Sequence, residues 1–182
     1  LRTKTPDKIQ SSQNIAIQGN NFSTQITSDG QAVRNALVCI SQDGNYYKGF
    51  TNSRGIVTIG HNLHKGKALL VVTAFNTTTI YDSIPVIESG IPYIEIADYA
   101  PKSVSAGTST NLSISLQNLG TVQSDSVRVR ISSDDEYLTT NTDSAIYAPI
   151  MPDQSAESNS FDILVSRNAP FGHTINLTAN IE

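Results

Sequence analysis

The sequence predicts an all-β protein made of two antiparallel β-sandwiches in tandem. β-Branched aliphatic residues dominate its core-forming set, with 20 Ile and 11 Val against 11 Leu, and branching at Cβ favours strands over helices. Apolar and polar residues alternate with a period of two in several segments, as half-buried antiparallel strands require. Turn clusters separate these segments, and no segment has a sustained helical period.

Neutral polar residues replace charges in this chain. Only 15% of its 182 residues are charged and the net charge is −4, while there are 22 Ser, 18 Thr and 15 Asn. This balance argues against nucleic-acid binding, which needs clustered Lys and Arg; Arg128 and Arg130 are interpreted as the solvated face of a strand. No apolar run is long enough for a transmembrane segment. The chain begins at Leu1 without a signal-peptide pattern, so we expect a piece of a longer protein.

The first block of strands covers residues 14–88 and follows a polar lead-in segment at residues 1–13. Its strand-like segments, each bounded by turn-forming residues, are residues 15–17, 33–41, 46–51, 56–59, 68–75 and 80–87. A short Gly-containing link between two β-rich runs predicts a hairpin at residues 43–45. The segment at residues 68–75 is apolar on both of its faces.

The second block begins after a linker at residues 89–93, where Gly90 and Pro92 favour an extended backbone. It covers residues 94–182 and alternates over longer distances. Its clearest strand places three apolar residues on one face: Leu112, Ile114 and Leu116. Two packed sheets would bury such faces, which predicts a second sandwich.

The first block also carries a family resemblance. It has a Gly-x-Thr-Asn-x-x-Gly turn at residues 49–55, after the apolar run at residues 36–40 and before a Val-Thr-x-x-Asn strand end at residues 72–76. In this order the segments resemble the immunoglobulin-like domain that follows the catalytic domain in gingipain-type cysteine peptidases. Residues 1–6 resemble the exit segment of that peptidase domain, and residues 94–182 resemble the sandwich that often comes next. The resemblance implies two immunoglobulin-like domains of a secreted bacterial protein.

The same resemblance places the family's catalytic Cys and His in an upstream peptidase domain, so it assigns no catalytic residue to this chain. Relatives often carry an Asp- and Gly-rich stretch early in the second domain, with the composition of a calcium site. Residues 100–107 occupy that place here and contain no acidic residue. We therefore predict no catalytic residue, metal or cofactor in this chain.

Few residues could support chemistry. Cys39 lies in an apolar run and is interpreted as a small buried hydrophobe, because a nucleophilic thiolate needs an electropositive, partly exposed setting. His61 and His64 lie in a predicted loop, too few for a transition-metal site, and His173 follows a predicted turn. The acidic residues 134–136 are interpreted as a solvated turn, since adjacent side chains diverge and calcium needs oxygens from several positions.

Aromatic residues and glycosylation motifs are the remaining surface candidates. Tyr46, Tyr47 and Phe50 could stack on a sugar, but alternation predicts that one Tyr lies in the core and the other is exposed. Asn-x-Ser/Thr sequons begin at Asn21, Asn76, Asn111 and Asn176. Three segments that begin with an Asp-Ser dipeptide resemble a short acceptor pattern for O-glycosylation in Gram-negative surface bacteria and favour export: residues 82–84, 125–127 and 143–145.

These patterns together predict a non-catalytic structural or accessory region of a secreted or cell-surface gingipain-like cysteine peptidase. It would pack on, or space, the upstream catalytic domain of the same chain. The alternative is an adhesion module of a bacterial surface protein, which would bind an extracellular protein or glycan through Tyr46, Tyr47 or loops at a sandwich end. An independent enzyme is not expected, because ionisable groups do not converge anywhere in the sequence pattern.

Overall fold

The computed structural model describes residues 5–182, apart from the side chains of residues 159 and 160. The chain divides into two compact units, of which the first ends at Ser89 and the second begins at Gly90. The described residues form strands and turns and contain no helix, so the all-β prediction is confirmed. A search of these residues for a helix able to span a membrane finds none.

The described residues of the first unit form nine strands in two sheets. They are β1 (Gln10–Ser11), β2 (Ala16–Ile17), β3 (Phe22–Ser28), β4 (Gln31–Ala32), β5 (Leu37–Gln42), β6 (Asn45–Phe50), β7 (Ile56–Ile59), β8 (Gly66–Thr73) and β9 (Ile80–Ile87). One sheet has the order β2-β9-β8-β5-β6, and the other is built on β3, which pairs with β1, β4 and β7. All these pairs are antiparallel except β2 with β9, where Ala16 lies opposite Val86 in parallel.

Alternating residues of both sheets form the core of the first unit. Val38 and Ile40 of β5 are fully buried, and Leu70 of β8 is buried beside them. Phe22 and Ile26 of β3 belong to the same cluster and supply the opposite wall. Because full burial of such a side chain stabilises the fold by about 1.5–3 kcal/mol, this cluster holds the two sheets together.

Residues predicted as a lead-in segment contribute to the first unit. Residues 1–4 of that segment lie outside the described part of the chain. Beyond them, Ile9 is buried in the core, β1 pairs with β3, and Asp7 forms an isolated bridge with Thr77. The described part of the lead-in is therefore integral to the sandwich.

The Gly-x-Thr-Asn-x-x-Gly motif forms the connection between β6 and β7. The Thr51 side chain is buried, and its Oγ1 donates to the carbonyl of Val33 (2.6 Å) and accepts from the backbone N–H of Ala36 (2.9 Å). Asn52 Oδ1 accepts from the backbone N–H groups two and four residues later. The motif is thus explained by backbone hydrogen bonding at a tight turn.

The second unit contains seven strands in two sheets. They are β10 (Ile94–Ala100), β11 (Ser109–Asn118), β12 (Val127–Ser132), β13 (Leu138–Thr140), β14 (Ser144–Tyr147), β15 (Ser155–Val165) and β16 (Thr178–Ile181). A four-stranded sheet has the order β10-β11-β15-β13 and a three-stranded sheet has the order β14-β12-β16. Leu116, Val129 and Phe161 are completely buried between them.

A fully buried amide organises the loops at one end of the second unit. Asn118 Oδ1 accepts from the backbone N–H groups of Tyr93 (3.1 Å) and Gly120 (2.9 Å). Its Nδ2 donates to the carbonyls of Val122 and Ile150, both at 2.8 Å. One side chain therefore satisfies four backbone groups from three separate segments.

The C-terminal part of the predicted linker is bonded to the second unit. The Gly90 N–H donates to Thr121 Oγ1 (2.6 Å), and the Thr121 N–H donates to the carbonyl of Ile91 (3.1 Å). The Leu119 N–H donates to the carbonyl of Tyr93 (2.8 Å). Residues 90–93 are therefore held by the loop after β11, and the linker at residues 89–93 stays a prediction.

Gly55→Ala is predicted to destabilise the first unit by about 3 kcal/mol. Gly55 has a φ of +73°, and a Cβ there would lie 2.5 Å from the carbonyl oxygen of Ile26 and 3.2 Å from the Val33 nitrogen. Gly44→Ala is the control, because φ is +81° there but the space around it is open. Urea unfolding measures both, and equal losses would contradict the close approach at Gly55.

Asn118→Ala is predicted to lower the unfolding free energy of the second unit by about 3 kcal/mol. Four backbone groups lose their partner, and the bonds to Gly120 and Ile150 are buried. Asn111→Ala removes the same side chain from an exposed position of the same strand and should cost no more than about 0.5 kcal/mol. Denaturant midpoints of the two variants provide the comparison. A similar loss in both would show that the amide network is not stabilising.

Candidate functional site

The five-stranded sheet of the first unit has a side that faces away from the core and is rich in apolar residues. We call it the outer sheet face and define it by the following residues: Leu37, Cys39, Tyr46, Lys48, Phe50, Leu69, Val71 and Tyr81. Tyr46 and Phe50 are 65% exposed and Tyr81 is 74% exposed, while the aliphatic members are half-buried. An antiparallel sheet with one solvated face ordinarily carries polar residues there, so this face is unusual.

Strand register aligns the outer sheet face into rows. Lys48 of β6 lies opposite Cys39 of β5, and Cys39 lies opposite Val71 of β8. Val71 in turn lies opposite Tyr81 of β9. Side chains that lie directly opposite on one face are close enough to interact. Cys39, Val71 and Tyr81 therefore form an apolar stripe across β5, β8 and β9, and the charged Lys48 lies at its β6 end.

Cys39 lies on this stripe and is half-buried. The prediction that its thiol is buried is wrong, because the odd-numbered residues of β5 face outward and the even-numbered ones face the core. Its cross-strand neighbours are Lys48 and Val71. The three histidines lie in other contacts, described next, and none of those contacts involves the thiol.

The two adjacent tyrosines face opposite sides of β6, as alternation predicts. Tyr47 packs against the core and meets the His61 ring edge-on, with 6.2 Å between ring centres. Tyr46 faces solvent, and Lys48 Nζ lies 5.8 Å from the centre of its ring. A shallow depression of about 610 Å³ lies beside Tyr46, and its wall includes Asn45, Lys67 and Ser83.

His64 is fixed in a loop by a buried amide. Gln42 Nε2 donates to the carbonyls of His64 (2.9 Å) and Lys67 (3.2 Å), and Gln42 Oε1 accepts from the His64 N–H (2.9 Å). The His64 ring lies 2.8 Å from a carboxylate oxygen of Asp43. These contacts connect the β5–β6 hairpin to the loop before β8.

His61 is held in the same loop by a different contact. Its Nδ1 accepts from the backbone N–H of Leu63 (3.2 Å), while its Nε2 is buried and has no hydrogen-bond partner among the described residues. Burial lowers the pKa of His61 from its ordinary value of 6.5. Within residues 5–182, no three His, Cys, Asp or Glu side chains are grouped so that they could hold a metal ion.

The acidic residues 134–136 form a turn that is joined to a second loop. Asp135 accepts from the backbone N–H of Tyr137 (3.0 Å) and lies 2.8 Å from His173 Nε2. These two hydrogen bonds, the backbone one first, lower the pKa of Asp135. The rings of Tyr137 and His173 meet edge-on at 5.0 Å. Asp134 and Glu136 are exposed, so the solvated-turn interpretation fits those two residues, and Asp135 connects the loops.

An apolar groove of about 1110 Å³ opens in the second unit. One wall is the inner face of the four-stranded sheet, including Leu112 and Ile163, and extends to Ile96 and Tyr99 of β10. The opposite wall is the segment at residues 169–177 together with β16. Ile96 and Tyr99 are more than a third exposed, so the groove is accessible from the β10 side.

The sequon asparagines are all exposed, namely Asn21, Asn76, Asn111 and Asn176. Ser83 and Ser126 of the Asp-Ser dipeptides are exposed as well, and Ser144 is half-buried. A glycan acceptor must lie on the surface. Modification at these positions stays a prediction.

The outer sheet face had a sequence signal, whereas the groove had none. The segment at residues 68–75 is apolar at both odd and even positions, which already indicates a strand with cover on both sides. The groove depends on the number of strands in each sheet and on which strand forms the edge. That information arises from pairing between distant segments and is absent from local patterns.

Comparison with known proteins identifies no family. No protein-family model matches the sequence, and no curated protein matches it. The chain is similar to the native α2-macroglobulin of Escherichia coli, with 9% identity, a TM-score of 0.35, and coverage of 96% of this chain and 16% of that one. A Ca²⁺-stabilized adhesin with which an Antarctic bacterium binds ice gives 12% identity, a TM-score of 0.25, and coverage of 98% and 48%.

A third solved structure is similar to the chain at comparably low identity and TM-score. A mutant α2-macroglobulin of Salmonella has 7% identity and a TM-score of 0.35, with coverage of 99% of this chain and 16% of that one. The chain spans less than two thirds of the length of each of these proteins.

His61→Asn is predicted to reduce the loss of stability of the first unit as the pH falls below about 6.5. The folded-state pKa of His61 lies below its ordinary value, so at intermediate pH the unfolded chain binds a proton that the folded chain does not. The free energy of unfolding therefore rises with pH in this range. Asn at this position retains an acceptor for the Leu63 N–H. Urea unfolding between about pH 8 and pH 5 measures the effect, and an unchanged pH dependence would contradict it.

Proposed function

We propose that this chain is a non-catalytic accessory region of a secreted or cell-surface gingipain-like cysteine peptidase. Its first unit packs on the neighbouring catalytic domain through the outer sheet face, and its second unit extends the chain beyond that contact. The role is structural: the sandwich covers an apolar surface of the catalytic domain and holds it at a fixed distance from the following segment.

The outer sheet face is the observation that carries this proposal. Its members on β5 and β8 alternate with core residues, so these two strands carry apolar residues on both sides of the sheet. Contiguous exposed apolar surface on a protein commonly marks an interaction site. Covering Val71 and Leu69 with a second layer would place this sheet between two apolar layers, as in a multidomain protein.

The family part of the proposal rests on the turn at residues 49–55 and on the order of the segments around it. Thr51 bonds to backbone groups of the segment before β5, and Asn52 bonds to the backbone of its own turn. These bonds explain why a related domain would need the same residue types. A secreted or surface location follows from the same family resemblance and is part of the proposal. The low charge and the many neutral polar residues agree with it.

The second candidate is an adhesion module that binds a glycan or an extracellular protein. The exposed Tyr46 ring beside a shallow depression lined by Asn45, Lys67 and Ser83 favours it. An aromatic face can stack on a sugar while neighbouring polar groups bond to hydroxyls. Because Tyr47 packs in the core, the variant that tests this candidate is Tyr46→Ala.

Val71→Lys is predicted to weaken association with the catalytic domain about tenfold or more, because it places a charge in the middle of an apolar interface. The experiment uses the 182-residue chain and the separately produced upstream domain of the same open reading frame. Titration calorimetry measures their affinity. Thr58→Lys, on an exposed position of the other sheet, adds the same charge and should change the affinity less than about twofold.

Three results would overturn the proposal. One is an open reading frame that encodes no His- and Cys-containing peptidase domain before Leu1. Another is a pair of domains that do not associate, or that associate equally well with Val71→Lys. The third is glycan-array binding that Tyr46→Ala abolishes and Val71→Lys preserves, which would favour adhesion instead.

A further inference from the structure

One edge of the three-stranded sheet in the second unit is open. Among the described strands, β16 pairs only with β12. Arg128 and Glu182 exchange both of their backbone hydrogen bonds (2.8 and 2.9 Å). Because bonding alternates along an antiparallel pair, Asn180 and Thr178 also face β12, whereas the N–H and C=O groups of Ala179 and Ile181 face the open edge.

The edge of β16 is short but lacks the bulge and the charged side chains that protect other edge strands. It has four uncharged residues, Thr-Ala-Asn-Ile, and a regular register with β12. The other edge beside the groove, β10, has a register shift between Ile96 and Asp98. It also carries an ion pair between Asp98 and Lys102 (2.6 Å). Bulges and charges are the usual means by which proteins block an edge, so β10 is closed to pairing and β16 is open.

The apolar groove lies directly beside this open edge. The groove is lined by Leu177 and Ala179 on the β16 side and by Ile96 and Tyr99 on the β10 side. The four-stranded sheet has one strand more than the three-stranded sheet that it faces. Protein interiors are close-packed and contain few voids larger than a water molecule. A gap of this size between two apolar walls is therefore an unfilled layer position.

The charges around the groove define the chemistry of its occupant. Lys102 is paired with Asp98, and its Nζ lies 3.3 Å from the centre of the Tyr99 ring. His173 is paired with Asp135 at 2.8 Å. Since these charged groups already have partners within the unit, an uncharged occupant complements the groove and a charged one would be desolvated without compensation.

We infer that the second unit accepts one extended, uncharged strand with apolar residues at alternate positions, which pairs with the free edge of β16. Its apolar side chains fill the groove against Leu112 and Tyr99, and its backbone bonds to Ala179 and Ile181. This is strand addition to a sheet edge, in which backbone bonds give affinity and alternate side chains give specificity. The inference concerns the second unit and is independent of the function proposed for the first.

The test tethers a strand of this chemistry to the chain. The probe copies residues 110–118, which are uncharged and carry Leu112, Ile114 and Leu116 at alternate positions, and it follows Glu182 through a flexible Gly/Ser linker. The matched control has the same nine residues reordered so that the three apolar ones are adjacent. The probe is expected to raise the thermal midpoint of the second unit by about 5 °C or more, and the control should raise it little.

A second arm tests the pairing edge with free peptide. Ala179→Pro removes the N–H that faces outward and leaves the bonds of Thr178 and Asn180 to β12, a position where an edge strand tolerates Pro. It should weaken binding of the free probe peptide about tenfold or more in titration calorimetry. A probe peptide that is N-methylated at alternate residues tests the same bonds without altering the protein, and should also fail to bind.

Several outcomes would overturn the inference. Equal stabilisation by probe and control would mean that alternation is irrelevant, and full affinity for Ala179→Pro together with the N-methylated probe would exclude pairing at β16. Absence of any stabilisation by the tethered probe would exclude strand addition. Sedimentation showing a dimer of the unmodified chain that Ala179→Pro abolishes would assign the groove to a second copy.

Discussion

Both units depend on buried, uncharged side chains that satisfy several backbone groups at once. Gln42 in the first unit and Asn118 in the second use both ends of the amide to join loops that are distant in sequence. Thr51 does the same with a hydroxyl. An unpaired buried polar group costs about 1–3 kcal/mol, so these loops are constrained to one arrangement. The ion pair between Lys65 and Glu88, by contrast, is exposed and adds little.

Each unit also has one place where the apolar residues of a sheet are not fully covered. In the first unit it is the outer sheet face, which is broad and carries the apolar stripe from Cys39 to Tyr81. In the second unit it is the apolar groove between the two sheets, beside the open edge of β16. A broad apolar face can pack against another folded domain, whereas a groove beside unpaired backbone groups can bind a single extended segment. The shape of the uncovered surface therefore distinguishes the two kinds of partner.

Local patterns in the sequence account for most of the strands and for the hairpin at residues 43–45, which the structure forms between β5 and β6. They also predict correctly that one of the two residues Tyr46 and Tyr47 faces solvent while the other packs against the core. Local patterns do not predict the strand β3, although Phe22 and Ile26 alternate with polar residues, because turn residues flank it closely. The parallel pairing of β2 with β9 and the outward position of Cys39 depend on contacts between distant segments, which periodicity does not encode.

The strand β8 has a consequence for how the protein can change over time. Its inward residues such as Leu70 form the core, and its outward residues such as Val71 form the stripe. In an ordinary amphipathic strand, every second position drifts freely among polar residues. Under the proposed cover of the outer sheet face, neither set of positions in β8 would accept polar residues freely. If the covering layer were lost during evolution, we expect charged residues to replace Leu69 and Val71 before any core residue of β8.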